Sequence, residues 1–174
     1  MTELSHNPLS ENLFQQGIEQ FNQGEYYACH DTLEAIWMEA PASEKPFYQG
    51  ILQLAVALYH LGNHNWQGAA MLFGEGLRRL QPYEPSHFGV DVAGLVDCGF
   101  AWLTALQTLG PEQVAVLAAV AANQRPQADQ AQAVVTPDSG PLESSTEIAE
   151  LDFALPALYI SLDNAFSGGS GAGE

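Results

Sequence analysis

Basic residues are scarce in this sequence of 174 residues. It contains only 4 lysines and arginines against 21 aspartates and glutamates, which gives a formal net charge of −17. Proteins that bind nucleic acid need a basic surface to displace counterions from phosphates, so the composition excludes that class. Attraction to an anionic membrane surface is disfavoured for the same reason. Because charged residues make up only 14% of the chain, the imbalance comes from missing bases rather than from a carpet of acids.

Cysteines and long apolar runs are also scarce. Cys29 and Cys98 have no C-x-x-C spacing, which favours neither a disulfide framework nor a zinc ribbon. The first residues lack a basic region followed by an apolar one, and the apolar stretch around 50–61 is interrupted by Gln53 and His60. We therefore expect no secretion signal, no membrane span and a cytoplasmic protein with reduced thiols. The motifs typical of nucleotide binding and of serine hydrolysis are missing as well.

What the sequence does contain is a succession of amphipathic helices in its first 122 residues. Apolar residues recur with helical spacing, and Gly, Asn and Pro interrupt them. A shift of about forty residues places large residues on large ones and small on small, for example Phe21 on Leu61. The sequence therefore predicts an all-α bundle of about five helices, built from two stacked, loosely tetratricopeptide-like hairpins with the fifth helix as a lid. The predicted helices span about 10–23, 25–39, 44–61, 66–80 and 90–109, with a short one at 112–122.

The remaining sequence divides into a linker and a tail. Residues 123–147 are rich in Pro, Gln and Ala and lack periodicity, so we expect disorder there. In the tail, 148–174, apolar residues alternate from 151 to 162 around Pro156 and predict an extended strip before a flexible Gly-rich end. The strip either docks on an apolar groove of its own helical domain, which we favour, or binds a protein partner. A second copy of the chain is another candidate partner.

Polar residues occupy the core-facing stripes of the second and third helices. If these helices pack antiparallel, His30 faces Gln53 and Glu34 faces Gln49, so that each glutamine amide can bond a carboxylate and an imidazole. Buried polar groups need such partners. The first interpretation is thus a buried polar network that is purely structural, in a non-enzymatic scaffold or protein-interaction module. Its members are His30, Glu34, Trp37, Gln49, Gln53 and His60.

Two chemical interpretations of the same residues stay open, so the sequence leaves undecided whether the protein is an enzyme. His30 and Glu34, at i and i+4 of one helix, have chelating geometry and with His60 would hold a divalent transition metal. Alternatively, the pair performs acid–base catalysis. We rank both below the structural network. An anionic substrate would meet few cations, namely Lys45, Arg78, Arg79 or Arg125.

These residues resemble a known family. The pattern Phe21-Asn22-x-Gly24-x-Tyr26-Tyr27-x-x-His30-Asp31-x-Leu33-Glu34-x-x-Trp37 and the run from Phe47 to His60 are similar to the domain of unknown function 309. The resemblance covers about residues 10–110, with an aspartate at 31 in place of an expected glutamate and a longer turn at 63–68. It implies a small all-α bundle of about five helices and no established activity. It marks the same six polar positions as the ones to examine.

Overall fold

A computed structural model describes residues 8–125 and 155–162 of the chain. Helices dominate this part, and the predicted all-α class is confirmed. Two 3-10 turns and one minimal antiparallel hairpin connect the later helices. The elements are α1 (Pro8–Gln23), α2 (Tyr26–Glu39), α3 (Lys45–Gly62), α4 (Trp66–Leu80), the turn Gln81–Tyr83, β1 (Ser86–His87), β2 (Val90–Asp91), α5 (Val92–Leu109), the turn Pro111–Gln113 and α6 (Val114–Asn123).

The helices pack in chain order as two hairpins. Helix α1 packs on α2, α2 on α3 and α3 on α4, after which α5 covers α4 and α6 returns to α3. Small residues permit the closest approaches. A Cβ added to Gly76 in α4 would lie 2.9 Å from the carbonyl oxygen of Gly50 in α3, which no real side chain tolerates. The two backbones therefore meet directly at this crossing.

One apolar core runs through the bundle. No polar or charged residue is buried in the part of the chain that the structure describes. The core gathers large side chains from every helix of the two hairpins and from α5, as expected where each amphipathic helix buries one stripe. The largest fully buried residues are Trp102, Phe21, Phe47 and Phe73.

Helix α5 is long and apolar. By length and composition Val92–Leu109 is apolar enough to cross a membrane. The expectation that the chain has no membrane span stays a prediction. In the structure 44% of this helix is buried inside the protein, where Leu95, Trp102 and Leu106 belong to the core. A buried core helix meets the same criterion without spanning a bilayer.

Side chains cap the starts of α4 and α5. The carboxylate of Asp91 accepts a hydrogen bond from the Gly94 amide at 2.9 Å and caps α5. Asn65 caps α4 by accepting from the Gly68 amide at 3.0 Å. Such caps satisfy amides that have no partner within the helix.

The connection between α4 and α5 is more structured than the sequence indicated. The hairpin of β1 and β2 turns His87 inward, where its Nε2 lies 2.7 Å from Oε2 of Glu44. The same imidazole contacts the Phe47 ring, with 4.7 Å between the centroids. This contact joins the hairpin to the start of α3 and closes one end of the bundle.

Part of the predicted linker and tail lies outside the described residues. Asn123 ends α6, and Gln124 and Arg125 follow it. The expectation of disorder at 126–147 and of a flexible end at 167–173 concerns residues that the structure does not describe. Of the apolar strip predicted at 151–162, the structure describes 155–162.

Candidate functional site

Five of the six polar residues selected from the sequence line one open groove. His30, Glu34 and Trp37 contribute from α2, and Gln49 and Gln53 from α3. We call this the polar groove; it has a volume of about 230 Å³, and its remaining wall is apolar. The antiparallel packing of α2 on α3 brings these side chains together, as the helical spacing predicted. The apolar lining residues are Leu52, Val56 and Leu72.

The bonding within the polar groove differs from the predicted ladder. Gln53 donates through Nε2 to Glu75 at 2.8 Å and accepts at Oε1 from Nε of Arg79 at 2.9 Å. The amide therefore links α3 to α4 rather than to His30 on α2. Glu34 is exposed. The prediction of a buried network is corrected for this physical reason: water solvates an exposed carboxylate, so Glu34 needs no buried partner.

A cation stands over Trp37 beside the polar groove. The ammonium of Lys45 lies 5.1 Å from the centroid of the Trp37 ring, within the range of a cation–π interaction. The same ammonium donates to the carbonyl oxygen of Met38 at 3.2 Å. The Trp37 Nε1 atom is buried and has no hydrogen-bond partner among the described residues. Trp37 therefore brings to the polar groove an indole donor that is paired with no described residue.

A potential chelating cluster occupies α2, with one member different from the prediction. Ligand atoms of His30, Asp31 and Glu34 all lie within 4.8 Å of one another. His60, the third predicted ligand, is not among the residues that line the groove. Its Nδ1 instead lies 3.1 Å from Nδ2 of Asn65. Asp31 was overlooked because neighbours in sequence normally diverge on a helix, yet its carboxylate lies 3.6 Å from Nδ1 of His30.

A second groove, formed by the end of α1, the middle of α5 and the residue after α6, holds residues 155–162, which we call the strip. The strip is not helical. Its best-fixed residue is Ile160, whose side chain is 1% exposed. Asn22 bonds both main-chain groups of Ile160: Nδ2 donates to the carbonyl oxygen at 2.9 Å, and Oδ1 accepts from the amide at 2.7 Å. The amide of Asn22 therefore replaces a partner strand for this residue.

Other side chains also bind the main chain of the strip. The indole of Trp102 donates to the carbonyl oxygen of Pro156 at 2.9 Å. Gln124 donates to the Leu155 carbonyl at 2.7 Å, and the thiol of Cys98 donates to the Ala157 carbonyl at 3.4 Å. Side chains from α1, from α5 and from the residue after α6 thus bind the main chain of the strip along its length.

The strip ends as an added partner of the small hairpin. The amide of Asp91 donates to the carbonyl oxygen of Ser161 at 3.1 Å. Leu162 forms an antiparallel bridge with Val90. The exposed edge of β2 is paired in this way.

The strip changes the environment of the thiol that it covers. Burial raises the pKa of Cys98 from an ordinary 9.0 to about 11. The thiol therefore stays protonated at neutral pH and can donate to the strip carbonyls. In α2, burial raises the pKa of Cys29 to about 12, so neither thiol is a reactive nucleophile in this state.

The residues that hold the strip were not selected from the sequence. Asn22 and Trp102 were not among the candidate residues, and Gln124 falls in the predicted linker. Their contacts join residues as far apart as Asn22 and Ile160, and no local spacing reports such a contact. The one available signal was the strip itself, whose apolar alternation required a covering surface.

The protein is thus a small all-α helical module. It has one open polar groove and a second groove that its own strip fills. Residues 14–72 match the family model described as "Domain of unknown function (DUF309)", which confirms the resemblance over α1, α2, α3 and part of α4. All the residues of the polar groove fall in this range, whereas α5, α6 and the strip fall outside it.

A relative of this chain is also uncharacterised. The chain is 40% identical over 72 residues to a Bacillus subtilis (strain 168) protein named "Uncharacterized protein YpuF". The aligned segment covers 41% of this chain and 40% of that relative, so the chain spans less than half of the relative's length. No solved structure gives a significant match to the chain.

Proposed function

We propose that this protein is a helical peptide-interaction module, with no enzymatic role for the strip groove, and that the strip occupies that groove as a ligand supplied in cis. The observation that carries the proposal is the bonding of side chains from α1, from α5 and from the residue after α6 to the main chain of residues 155–162. Main-chain bonds combined with a buried anchor are the usual way in which domains recognise extended peptides. Here the anchor is Ile160.

The contacts also specify what partner segment fits. Main-chain recognition tolerates many side chains, whereas the site of Ile160 admits only an apolar one. The formal net charge of −17 repels acidic partners that come within a Debye length of the surface. The partner is therefore an extended, apolar segment without negative charge.

The strip itself is the competitor that such a partner must displace. The side chain of Gln124 donates to the Leu155 carbonyl at 2.7 Å, so the strip docks beside the end of the helical domain to which residues 126–154 join it covalently. A segment tethered in this way acts at an effective concentration in the millimolar range. A free segment of equal affinity therefore displaces it only at about that concentration. The closed state is the default, and a partner must bind more tightly than the strip.

The test uses the full-length chain with the strip disabled. Ile160→Asp places a carboxylate in an apolar site and should release the strip. A fluorescent peptide of residues 155–162 should then bind the variant at least tenfold more tightly than the wild type. Tyr159→Asp is the matched control because Tyr159 is 55% exposed, and it should behave as the wild type. Equal peptide binding to all three proteins, or no binding to any, overturns the proposal.

A second candidate function rests on the cluster in α2. The ligand atoms of His30, Asp31 and Glu34 lie within 4.8 Å of one another beside the polar groove. Imidazole and carboxylate together suit a divalent transition metal, and the same groups suit acid–base chemistry. This candidate ranks second because Asp31 and Glu34 are exposed, and an exposed pair of acids is common on protein surfaces.

The metal content of the purified protein tests this second candidate. Untagged protein purified without chelator is measured beside His30→Ala and the matched control His64→Ala, which alters an exposed loop imidazole. About one equivalent of metal in the wild type and the control, lost in His30→Ala, supports a metal centre. Equal metal content in all three proteins rejects it.

A further inference from the structure

A partly enclosed cavity of about 250 Å³ lies between the strip and the helices beneath it. Residues 157–159 of the strip form one wall, and Leu58 of α3 and Trp102 of α5 contribute apolar surface. The opposite wall comes from the end of α6 and from the turn between α1 and α2. We call it the strip cavity. Its volume accommodates a molecule of about ten non-hydrogen atoms, smaller than a typical drug-sized ligand.

A lone cation borders the strip cavity. Arg125 is the one Lys or Arg among the described lining residues, in a chain with only 4 bases. Its guanidinium carbon lies 5.1 Å from the centroid of the Tyr26 ring, so the aromatic face holds it in place. No carboxylate belongs to the described lining. Within the part of the chain that the structure describes, no lining carboxylate therefore neutralises the charge of Arg125.

Two buried polar atoms at this site have no partner among the described residues. They are Nε of Arg125, a donor, and Oε1 of Gln124, an acceptor. Buried polar groups are almost always hydrogen-bonded, so unpaired ones require an explanation. The phenol of Tyr26 beside them is 8% exposed and interacts with the Arg125 guanidinium. Burial raises the pKa of Tyr26, so the phenol is neutral at physiological pH and able to donate.

From this arrangement we infer that the strip cavity binds a small organic carboxylate whose apolar body lies against Leu58 and Trp102 and whose carboxylate meets Arg125. A planar guanidinium matches a carboxylate in geometry and charge. Low exposure of the surrounding residues strengthens that pairing. A protonated carboxylic acid or a neutral amide lacks the charge and binds more weakly.

The same ligand also regulates the module, because one wall of the strip cavity is the strip. A molecule that binds only the closed state stabilises that state. The carboxylate therefore opposes displacement of the strip by a partner. This regulatory step rests on the proposed peptide-binding function, whereas the binding of the carboxylate does not.

Binding is tested with phenylacetate and its neutral isostere phenylacetamide by calorimetry on the full-length protein. We expect phenylacetate to bind at least tenfold more tightly, since charged hydrogen bonds are stronger than neutral ones. Arg125→Gln should remove this preference. Arg78→Gln, at an exposed arginine of α4, is the matched control and should keep it. Equal affinity for the two probes in the wild type, or an unchanged preference in Arg125→Gln, overturns the inference.

A second pair of variants locates the probe. Ala121 lines the strip cavity and Ala122, its neighbour, is exposed. Ala121→Phe fills the cavity and should abolish binding of phenylacetate, while Ala122→Phe should leave it unchanged. Equal binding to both variants places the probe elsewhere and rejects the site. Circular dichroism confirms that each variant is folded before the titration.

The regulatory step has its own readout in the thiol that the strip covers. Alkylation of Cys98 by iodoacetamide reports release of the strip, while Cys29, fully buried, serves as the internal control. Saturating phenylacetate should slow alkylation of Cys98 at least threefold in the wild type and not in Arg125→Gln. Binding without protection of Cys98 rejects the regulation but keeps the site. Rapid alkylation of Cys98 in both the wild type and Ile160→Asp contradicts the proposed function instead.

Discussion

The two grooves of this molecule use polar side chains in opposite ways. In the strip groove, Asn22, Trp102 and Gln124 all donate to main-chain carbonyls of residues 155–162. In the polar groove, the side chains of Glu34 and Gln49 make no hydrogen bond to another described residue. The first surface is therefore satisfied by the chain itself and contributes to stability. The side chains of Glu34 and Gln49 are available to water or to a ligand and contribute little to stability.

The largest expected effect comes from the anchor of the strip. Ile160→Ala removes a side chain that is 1% exposed and should destabilise the docked strip by about 2–3 kcal/mol. Hydrogen exchange of the Asp91 amide, which donates to Ser161, measures this directly. We expect exchange to accelerate by more than tenfold. An unchanged exchange rate would show that the strip groove does not depend on its anchor.

The amide of Asn22 should produce the next largest effect. Asn22→Ala removes two hydrogen bonds to Ile160 and should lower the free energy of unfolding by about 1–2 kcal/mol. Urea denaturation measures the loss. Asn63→Ala is the control because its side chain makes one exposed bond to Tyr59, and it should cost less than half as much. Equal losses would make the strip contacts no stronger than a surface bond.

Alkaline pH should loosen the strip groove. The pKa of Cys98 is about 11 in the folded protein against an ordinary 9.0, so the folded state binds this proton more tightly. Its contribution to stability is complete below pH 9 and is lost as pH rises from 9 to about 11. In that window Cys98→Ser, which keeps a donor that does not ionise, should lose less stability than the wild type. Superimposable pH profiles would exclude the thiol as a strip contact.

The smallest effects should come from the polar groove. Glu34→Gln and Gln49→Ala each change the free energy of unfolding by less than about 0.5 kcal/mol. Gln53→Ala should cost about 1 kcal/mol because it breaks the bonds to Glu75 and Arg79. A cost for Glu34→Gln as large as for Gln53→Ala would restore a structural role for the α2 side of the groove.

The sequence predicted the helices well because their signal is local. Apolar periodicity and caps are encoded within a few turns, and the predicted limits of α4 equal the observed Trp66–Leu80. The same periodicity brought five of the six polar residues into one groove. It predicted burial for Glu34, however, and the structure exposes that side chain. Prediction succeeded where one helix and its immediate neighbour determined the outcome.

Prediction failed where a third element decided the contact. The amide of Gln53 bonds to Glu75 and Arg79 of α4 rather than to α2, and no spacing within α2 and α3 encodes that choice. His60 was assigned to the cluster although its own turn supplies Asn65 as a partner. Nor could the strip contacts be inferred, since they depend on how α1, α5 and the residue after α6 are placed relative to one another.

The contact between Gln124 and Leu155 makes the protein a natural candidate for splitting in two. Because these two residues flank positions 126–154, a cut within that range separates the strip from the helices without removing any residue that the strip contacts. The cost of closing a loop grows only slowly with its length, about 0.6 kcal/mol for each doubling, so long foreign sequences are tolerated there. The strip would then behave as a detachable tag, whose return to the helical body reports that two fused proteins have met.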